Sequence, residues 1–214
     1  MYQLISAKNP ENTKLLGSMH NLRFRMFKER MGWVKGDAIS RMEFDQYDTE
    51  NAVYLVKIDP QDSQVSACSR LIKTTHPYLL ADTFRHFIDG EPIRSEDCYE
   101  TSRFVADRDK KQPKNITGEL IAAMLEFGTY IGMRNYVSLS DIMMEKLLLR
   151  SGWDPQPLGP AGATANEVSI AFKYTVSAQM LENVRQKSSI SENLITNLGE
   201  FCDEYIFGKE FKAA

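Results

Sequence analysis

Residues 98–106, Cys-Tyr-Glu-Thr-Ser-Arg-Phe-Val-Ala, set a carboxylate, two hydroxyls and a guanidinium inside a stretch otherwise built for burial. Its apolar and β-branched residues predict an interior strand, where an unpaired charge is costly. Glu100 and Arg103 must therefore have partners or a chemical task. Side chains alternate faces along a strand, so Glu100 and Ser102 are expected on one face, roughly 7 Å apart, with Thr101 and Arg103 on the other. A carboxylate and a hydroxyl would then share one wall of a cleft.

The chain has 214 residues, 43% of them hydrophobic. That is enough for one large domain whose single core buries roughly 70% of the unfolded surface. Lys and Arg number 26 against 29 Asp and Glu, a net charge of −3. Nothing in that balance attracts nucleic acid or an anionic membrane, so any basic partner site must be local. Cys68, Cys98 and Cys202 are odd in number and lack metal-ligand spacing, and His20, His76 and His86 are as scattered. No metal is expected, and the thiols read as reduced in a cytoplasmic protein. No apolar run approaches the ~18 residues of a membrane span, and the N-terminus turns polar by Lys8, so neither membrane insertion nor secretory export is expected.

Taken in order, residues 2–6 predict a first strand, ended by Asn9-Pro10. Leu15, Leu16, Met19, Leu22, Met26 and Phe27 recur at helical spacing and predict one helix to about Met31, capped by Gly32. Residues 33–51 form a long connection with Trp33, Asp37, Glu43, Asp45, Asp48 and Glu50, a length that is usually functional or disordered. Residues 52–58 and 64–72 predict an antiparallel hairpin, 78–87 a short helix, 98–106 a strand, and Ile116 to Met133 a helix. Then come a strand at 136–139, a helix at 141–151 closed by Gly152, a proline-rich loop at 154–166, a strand at 167–175, and helices at 177–187 and 191–206. The pattern is a single mixed α/β domain: a mobile N-terminal substrate-binding region (1–50), a sheet core (51–175) and C-terminal helices (176–214). Strand 98–106, with its following helix and strand, predicts a parallel segment in a mixed sheet.

The spacing Arg23-x3-Phe27-x5-Trp33, then Asp45-x2-Asp48, Arg70 and Glu100-x2-Arg103 resembles the signature of the acyl-homoserine lactone synthases, the bacterial autoinducer synthases of quorum sensing. All eight positions are matched in order, within similar text such as 22–33, 44–48, 70–75 and 100–104. The likeness covers residues 20–153 well and the C-terminal residues poorly. Lys73 stands where the family usually has proline and Thr101 where it often has serine; neither is among the eight. The resemblance implies an α/β single-domain mixed sheet flanked by helices, similar to the GCN5-related acetyltransferases, with a V-shaped opening between parallel strands for a phosphopantetheine arm. It implies S-adenosylmethionine and an acyl thioester on acyl carrier protein as substrates, with no cofactor beyond them. The products would be an N-acyl-homoserine lactone, methylthioadenosine and the freed carrier.

That chemistry assigns tasks. The α-amine of S-adenosylmethionine, with a pKa near 8 by analogy with an N-terminus, needs a proton acceptor. Glu100 is the leading candidate, directly or through one water, because burial raises a carboxylate pKa toward the working range. Ser102 would bind substrate or order that water. Trp33 and Phe27 offer π-bearing walls for adenine or sulfonium, Asp45 and Asp48 attract the cations, and Arg23 or Arg103 meets the carboxylate. Arg103 is equally suited to a scaffold salt bridge with Asp45 or Asp48, Arg70 to an architectural role, and spacing leaves both open. Phe104 completes the substrate-binding set. Met124, Ser138 and Met143 are candidates for the acyl pocket, a hydroxyl at Ser138 implying by resemblance a 3-oxo chain. Arg108, Lys110, Lys111, Lys114, Lys146 and Arg150 are candidates for docking an acidic carrier protein. Two other readings compete. An acetyl-CoA-dependent N-acetyltransferase would need an Arg/Gln-x-x-Gly-x-Gly/Ala loop, which residues 114–119 do not supply. A non-catalytic S-adenosylmethionine-binding module would not need Glu100 and Ser102.

Overall fold

A computed structural model of the chain describes residues 1–33, 39–164 and 167–208; Asp37 and Asn166 of the predicted connections lie outside them. The strands β1 (Tyr2–Ser6), β2 (Ala52–Ile58), β3 (Val65–Lys73), β4 (Cys98–Ala106), β5 (Asn135–Asp141), β6 (Pro155–Pro157), β7 (Gly162–Ala163) and β8 (Val168–Thr175) form one mixed sheet. Its order is β1-β2-β3-β4-β5-β8-β6, with β7 also on β8. The expected hairpin is β2–β3, and the expected parallel pair is β4–β5, joined over the sheet by helix α3 (Ile116–Tyr130). That pair is short: Cys98 faces Asn135, Tyr99 faces Tyr136, Glu100 faces Val137, and the ladder then ends. Beyond Glu100 the strands part, which leaves the predicted opening.

A β-bulge sits in the same strand. Cys68 pairs with Val105 and Arg70 with Ser102, so Arg103 and Phe104 together oppose Ser69. Arg103 takes a left-handed φ of 55°, rare for a residue with a Cβ. The bulge breaks the alternation expected for β4. Thr101 bonds Ser69 and Met124 on the α3 face, whereas Arg103 turns to the opposite face with Ser102 and Glu100. The expectation that Thr101 and Arg103 share a face is therefore corrected. Phe104 packs against the α3-side core, away from the other predicted substrate-binding residues.

Both sheet faces are covered, which explains why the central strands read as continuously apolar. On one face α3 buries Leu120, Ile121, Met124, Leu125 and Phe127, flanked by α4 (Ile142–Ser151), α5 (Ala178–Ser188) and α6 (Leu198–Phe201). On the other lie α1 (Thr13–Arg23) and α2 (Leu79–Asp82). Asp141 caps α4 by accepting from the Met144 N–H, and Gly152 ends it at φ 88°, as expected.

Three predicted helices differ. The helix to Met31 becomes α1 followed by a wider π turn over Phe24–Arg30. The helix at 78–87 divides into α2 and a 3-10 turn at Arg85–Phe87. The last helix starts at Leu198, because the preceding segment is tied to β1: Tyr2 N–H donates to Leu194 O (3.1 Å) and Thr196 N–H to Tyr2 O (3.0 Å). The buried carboxylate of Glu126 accepts the Leu194 and Ile195 amides. The proline-rich loop also supplies β6 and β7, edge positions where a missing N–H is tolerated. Among the described residues no helix is long and apolar enough to cross a membrane.

Helices α3 and α5 approach closely at Gly118, where an added Cβ would lie 2.8 Å from Ser188 Cβ. Gly118→Ala is expected to destabilise the protein by about 1–3 kcal/mol despite the better helix former, as measured by urea denaturation. An unchanged midpoint would mean that α5 packs more loosely than described.

Candidate active site

Three arginines and three carboxylates alternate in a closed ring on the α1 face of the sheet. Arg23 Nε donates to Glu43 Oε2 (2.5 Å), and Glu43 Oε1 accepts from Arg103 Nη2 (3.0 Å). Arg103 Nη2 also reaches Asp45 Oδ2 (2.6 Å), while Asp45 Oδ1 accepts from Arg70 Nη1 (2.5 Å). Arg70 Nη1 lies 3.0 Å from Asp48 Oδ1, and Asp48 closes the ring by a bidentate pair with Arg23, 2.7 Å for each bond. Arg23 and Arg70 come from α1 and β3, Arg103 from the bulge, and the acids from segment 43–48. Arg23, Arg70 and Glu43 are fully buried. Burial alone would push the Asp48 carboxyl up, but Arg23 and Arg70 hold it below the usual carboxylate range. Burial likewise opposes the charge on Arg23, but Asp48 and Glu43 outweigh it and hold the guanidinium pKa above its ordinary value.

Arg70 grips Asp45 and Asp48, and its Nε donates to Ser102 Oγ (3.1 Å). Arg103 is held by Glu43 and Asp45 through Nε and Nη2, bonds in which its Nη1 takes no part. Its guanidinium lies 5.8 Å from the centroid of Phe27, which stacks on half-exposed Trp33 at 5.9 Å and 19°. Beyond the π turn the chain folds back on it, Trp33 N–H donating to Phe27 O at 2.8 Å. Trp33, Phe27 and the Arg103 guanidinium thus lie in one row.

Glu100 lies at the apex of the opening, fully buried. Its Oε1 accepts from Leu80 N–H (2.6 Å) and its Oε2 from Leu79 N–H (3.2 Å). Burial pushes its carboxyl up to about 7, against the pull of those amides and of Arg70 and Arg103. A carboxylate in that range exchanges protons near neutrality.

On the α3 face of the opening, Met124 is fully buried and Ser138 is hydrogen bonded to Tyr174 OH (2.8 Å) and Ser140 Oγ (3.0 Å). Met143 does not join them. It is 61% exposed because the phase of α4 turns Met144 inward instead. Of the predicted basic positions, Lys110 is engaged by Asp59 (3.1 Å) and Asp62 (2.6 Å). Arg108, Lys111, Lys114, Lys146 and Arg150 are exposed.

Glu43 and His20 were missed as site residues. For Glu43 a signal existed: three arginines against two aspartates leave one buried cation uncompensated, and Glu43 precedes Asp45 by two residues. Glu43→Gln is expected to leave the ring one charge in excess, costing about 3–5 kcal/mol by urea denaturation with loss of activity. Wild-type stability in that variant would show that the ring does not hold segment 43–48.

A mixed sheet split between two parallel strands is the layout of the N-acetyltransferase fold. A putative N-acetyltransferase from Lactobacillus plantarum shares the fold at a TM-score of 0.57 and 15% identity, over 82% of this chain and 99% of that one. More specific likenesses follow. The autoinducer synthase family profile matches residues 6–184. An acyl-homoserine-lactone synthase of Pseudomonas aeruginosa is 32% identical over 180 residues, 82% of this chain and 89% of that protein. Another from Agrobacterium fabrum is 31% identical over 176 residues, 79% and 82% of the two chains. The structure of the synthase LasI superposes with a TM-score of 0.76 at 28% identity, over 92% of this chain and 97% of LasI. The CoA-dependent synthase BjaI, solved with SAM and isopentyl-CoA, shares the fold at a TM-score of 0.82 and 24% identity, over 92% of each chain. The chain belongs to the autoinducer synthase family and is an acyl-homoserine lactone synthase, an acyltransferase that makes quorum-sensing signals.

Proposed function

We propose that this synthase transfers an acyl group from acyl carrier protein to the α-amine of S-adenosylmethionine, with Glu100 as the base, and then closes the lactone. The observation that carries the assignment is the Glu100 carboxyl, buried at the apex of the β4–β5 opening and raised to about 7. The thioester enters between the strands, and S-adenosylmethionine lies over Trp33 with its carboxylate on Arg103 Nη1. The amine nitrogen attacks the thioester carbon, its proton passes to Glu100 directly or through one water, and the carbon–sulfur bond breaks to free the carrier thiol. Backbone N–H groups where the ladder ends stabilise the oxyanion. A methionyl carboxylate oxygen then attacks the carbon bearing the sulfonium, and methylthioadenosine departs as a neutral leaving group. That step needs a folded conformer rather than an acid. Neither step requires a cofactor.

Ser138, buried and hydrogen bonded to Tyr174, supports a 3-oxo chain. The exposed cations Arg108, Lys111, Lys114, Lys146 and Arg150 support an acidic carrier as donor. The three cysteines are free and buried, which supports a reducing, cytoplasmic setting.

The base assignment predicts that kcat at saturating substrates falls about tenfold per pH unit below about 7, where Glu100 takes up its proton. Glu100→Gln lowers kcat by about 10²–10⁴-fold in a folded protein, measured by mass spectrometry of the lactone. A folded Glu100→Gln variant with wild-type kcat would remove Glu100 as base. The donor assignment predicts that charge reversal at Lys111 and Arg150 raises KM for acyl carrier protein about tenfold and leaves KM for S-adenosylmethionine unchanged. Equal turnover with acyl-CoA, insensitive to those changes, would assign the donor to coenzyme A instead.

A further inference from the structure

The backbone of Glu43 is held twice by one residue of α1. Glu43 N–H donates to His20 O (3.1 Å), and His20 Nδ1 lies 2.8 Å from Glu43 O. A carbonyl oxygen only accepts, so Nδ1 carries the proton and Nε2 the lone pair. The imidazole meets the rings of Phe44 and Tyr54 edge-on, each at 6.2 Å, and Tyr54 OH donates to Asp48 Oδ1 (2.9 Å). The next residue of α1 adds a rung, Asn21 Nδ2 to Arg41 O at 3.1 Å. Arg23 of α1 and Glu43 and Asp48 of the loop are the charged groups around the imidazole. Burial and Arg23 both disfavour the imidazolium, which keeps the ring neutral at pH 7.

From this geometry we infer that His20 is a positioning residue for S-adenosylmethionine: by fixing the Glu43 backbone it sets the angle at which Arg103 meets the substrate carboxylate. The inference rests on the proposed placement of that carboxylate. Glu43 reaches Arg23 and Arg103 at once, so a shift of its backbone strains both bonds and releases the bulge guanidinium from its place over Phe27. Misplacement on the order of 1 Å at a positioning group is enough to weaken a bound geometry. The effect falls on substrate binding, because Glu100 is held by the separate amides of α2.

The test compares two substitutions in the full chain, with lactone formation followed at pH 8 under saturating acyl donor. His20→Asn keeps an N–H donor close to the position of Nδ1; His20→Leu fills the space without one. His20→Leu is expected to raise KM for S-adenosylmethionine about tenfold with kcat within threefold, and His20→Asn to restore KM to within threefold of wild type. Wild-type KM in His20→Leu, or equal impairment in both variants, would overturn the assignment and leave His20 as filling alone. Should His20→Leu not fold, His20→Gln, whose amide overlaps Nε2 rather than Nδ1, provides the same contrast. Calorimetry with S-adenosylmethionine and no donor repeats the comparison without turnover. Absence of lactone from wild-type protein would therefore count against the proposed function, while the binding contrast still decides the role of His20.

Discussion

Three arginines and three carboxylates, most of them out of contact with water, tie α1 and segment 43–48 to strands β3 and β4. Taking each ion out of water is unfavourable by several kcal/mol, and attraction compensates only where geometry is good and the remaining donors and acceptors are satisfied. The ring meets that condition. Each of its arginines touches two of its carboxylates and each carboxylate two of its arginines, while Tyr54, Ser102 and the Asp45 and Tyr47 amides occupy further sites. Hydrophobic packing of comparable volume would give similar stability. A ring of charge adds a fixed electrostatic environment at the edge of the opening.

The bulge links that environment to the chemistry. Without the extra residue opposite Ser69, Arg103 would point toward α3, and the ring would lack its third cation on the proper face. The same strand ends its pairing with β5 at Glu100, so one nine-residue element supplies the third arginine of the ring, the hydroxyl of Ser102 and the buried carboxylate. This strand is irregular in two successive ways, a bulge at Arg103 and a ladder that ends at Glu100.

Much of this was legible in the sequence. The apolar runs and turn residues gave the hairpin, β4, α3, β5 and capped α4 nearly to the residue, because local pattern and tertiary burial agree in those segments. All eight signature residues converge: seven gather at the ring and its aromatic stack, and Ser102 accepts from Arg70 beside the eighth, Glu100. The bulge was not legible, since nothing in Ser-Arg-Phe announces a positive φ and strict alternation is the default. Nor was the outward turn of Met143, which depends on the phase of a ten-residue helix. The late start of α6 was hidden because Leu194 and Ile195 satisfy a helical pattern as well as they satisfy a bridge to Tyr2.

The central claim is that the ring acts as one unit, and a double-mutant cycle between Glu43→Gln and Asp48→Asn tests it most directly, with unfolding free energies from urea titrations. These two acids do not touch each other but share Arg23. A unit predicts strong non-additivity, a coupling of about 1 kcal/mol or more. Additive losses, within about 0.5 kcal/mol, would mean a set of independent ion pairs and would contradict the account.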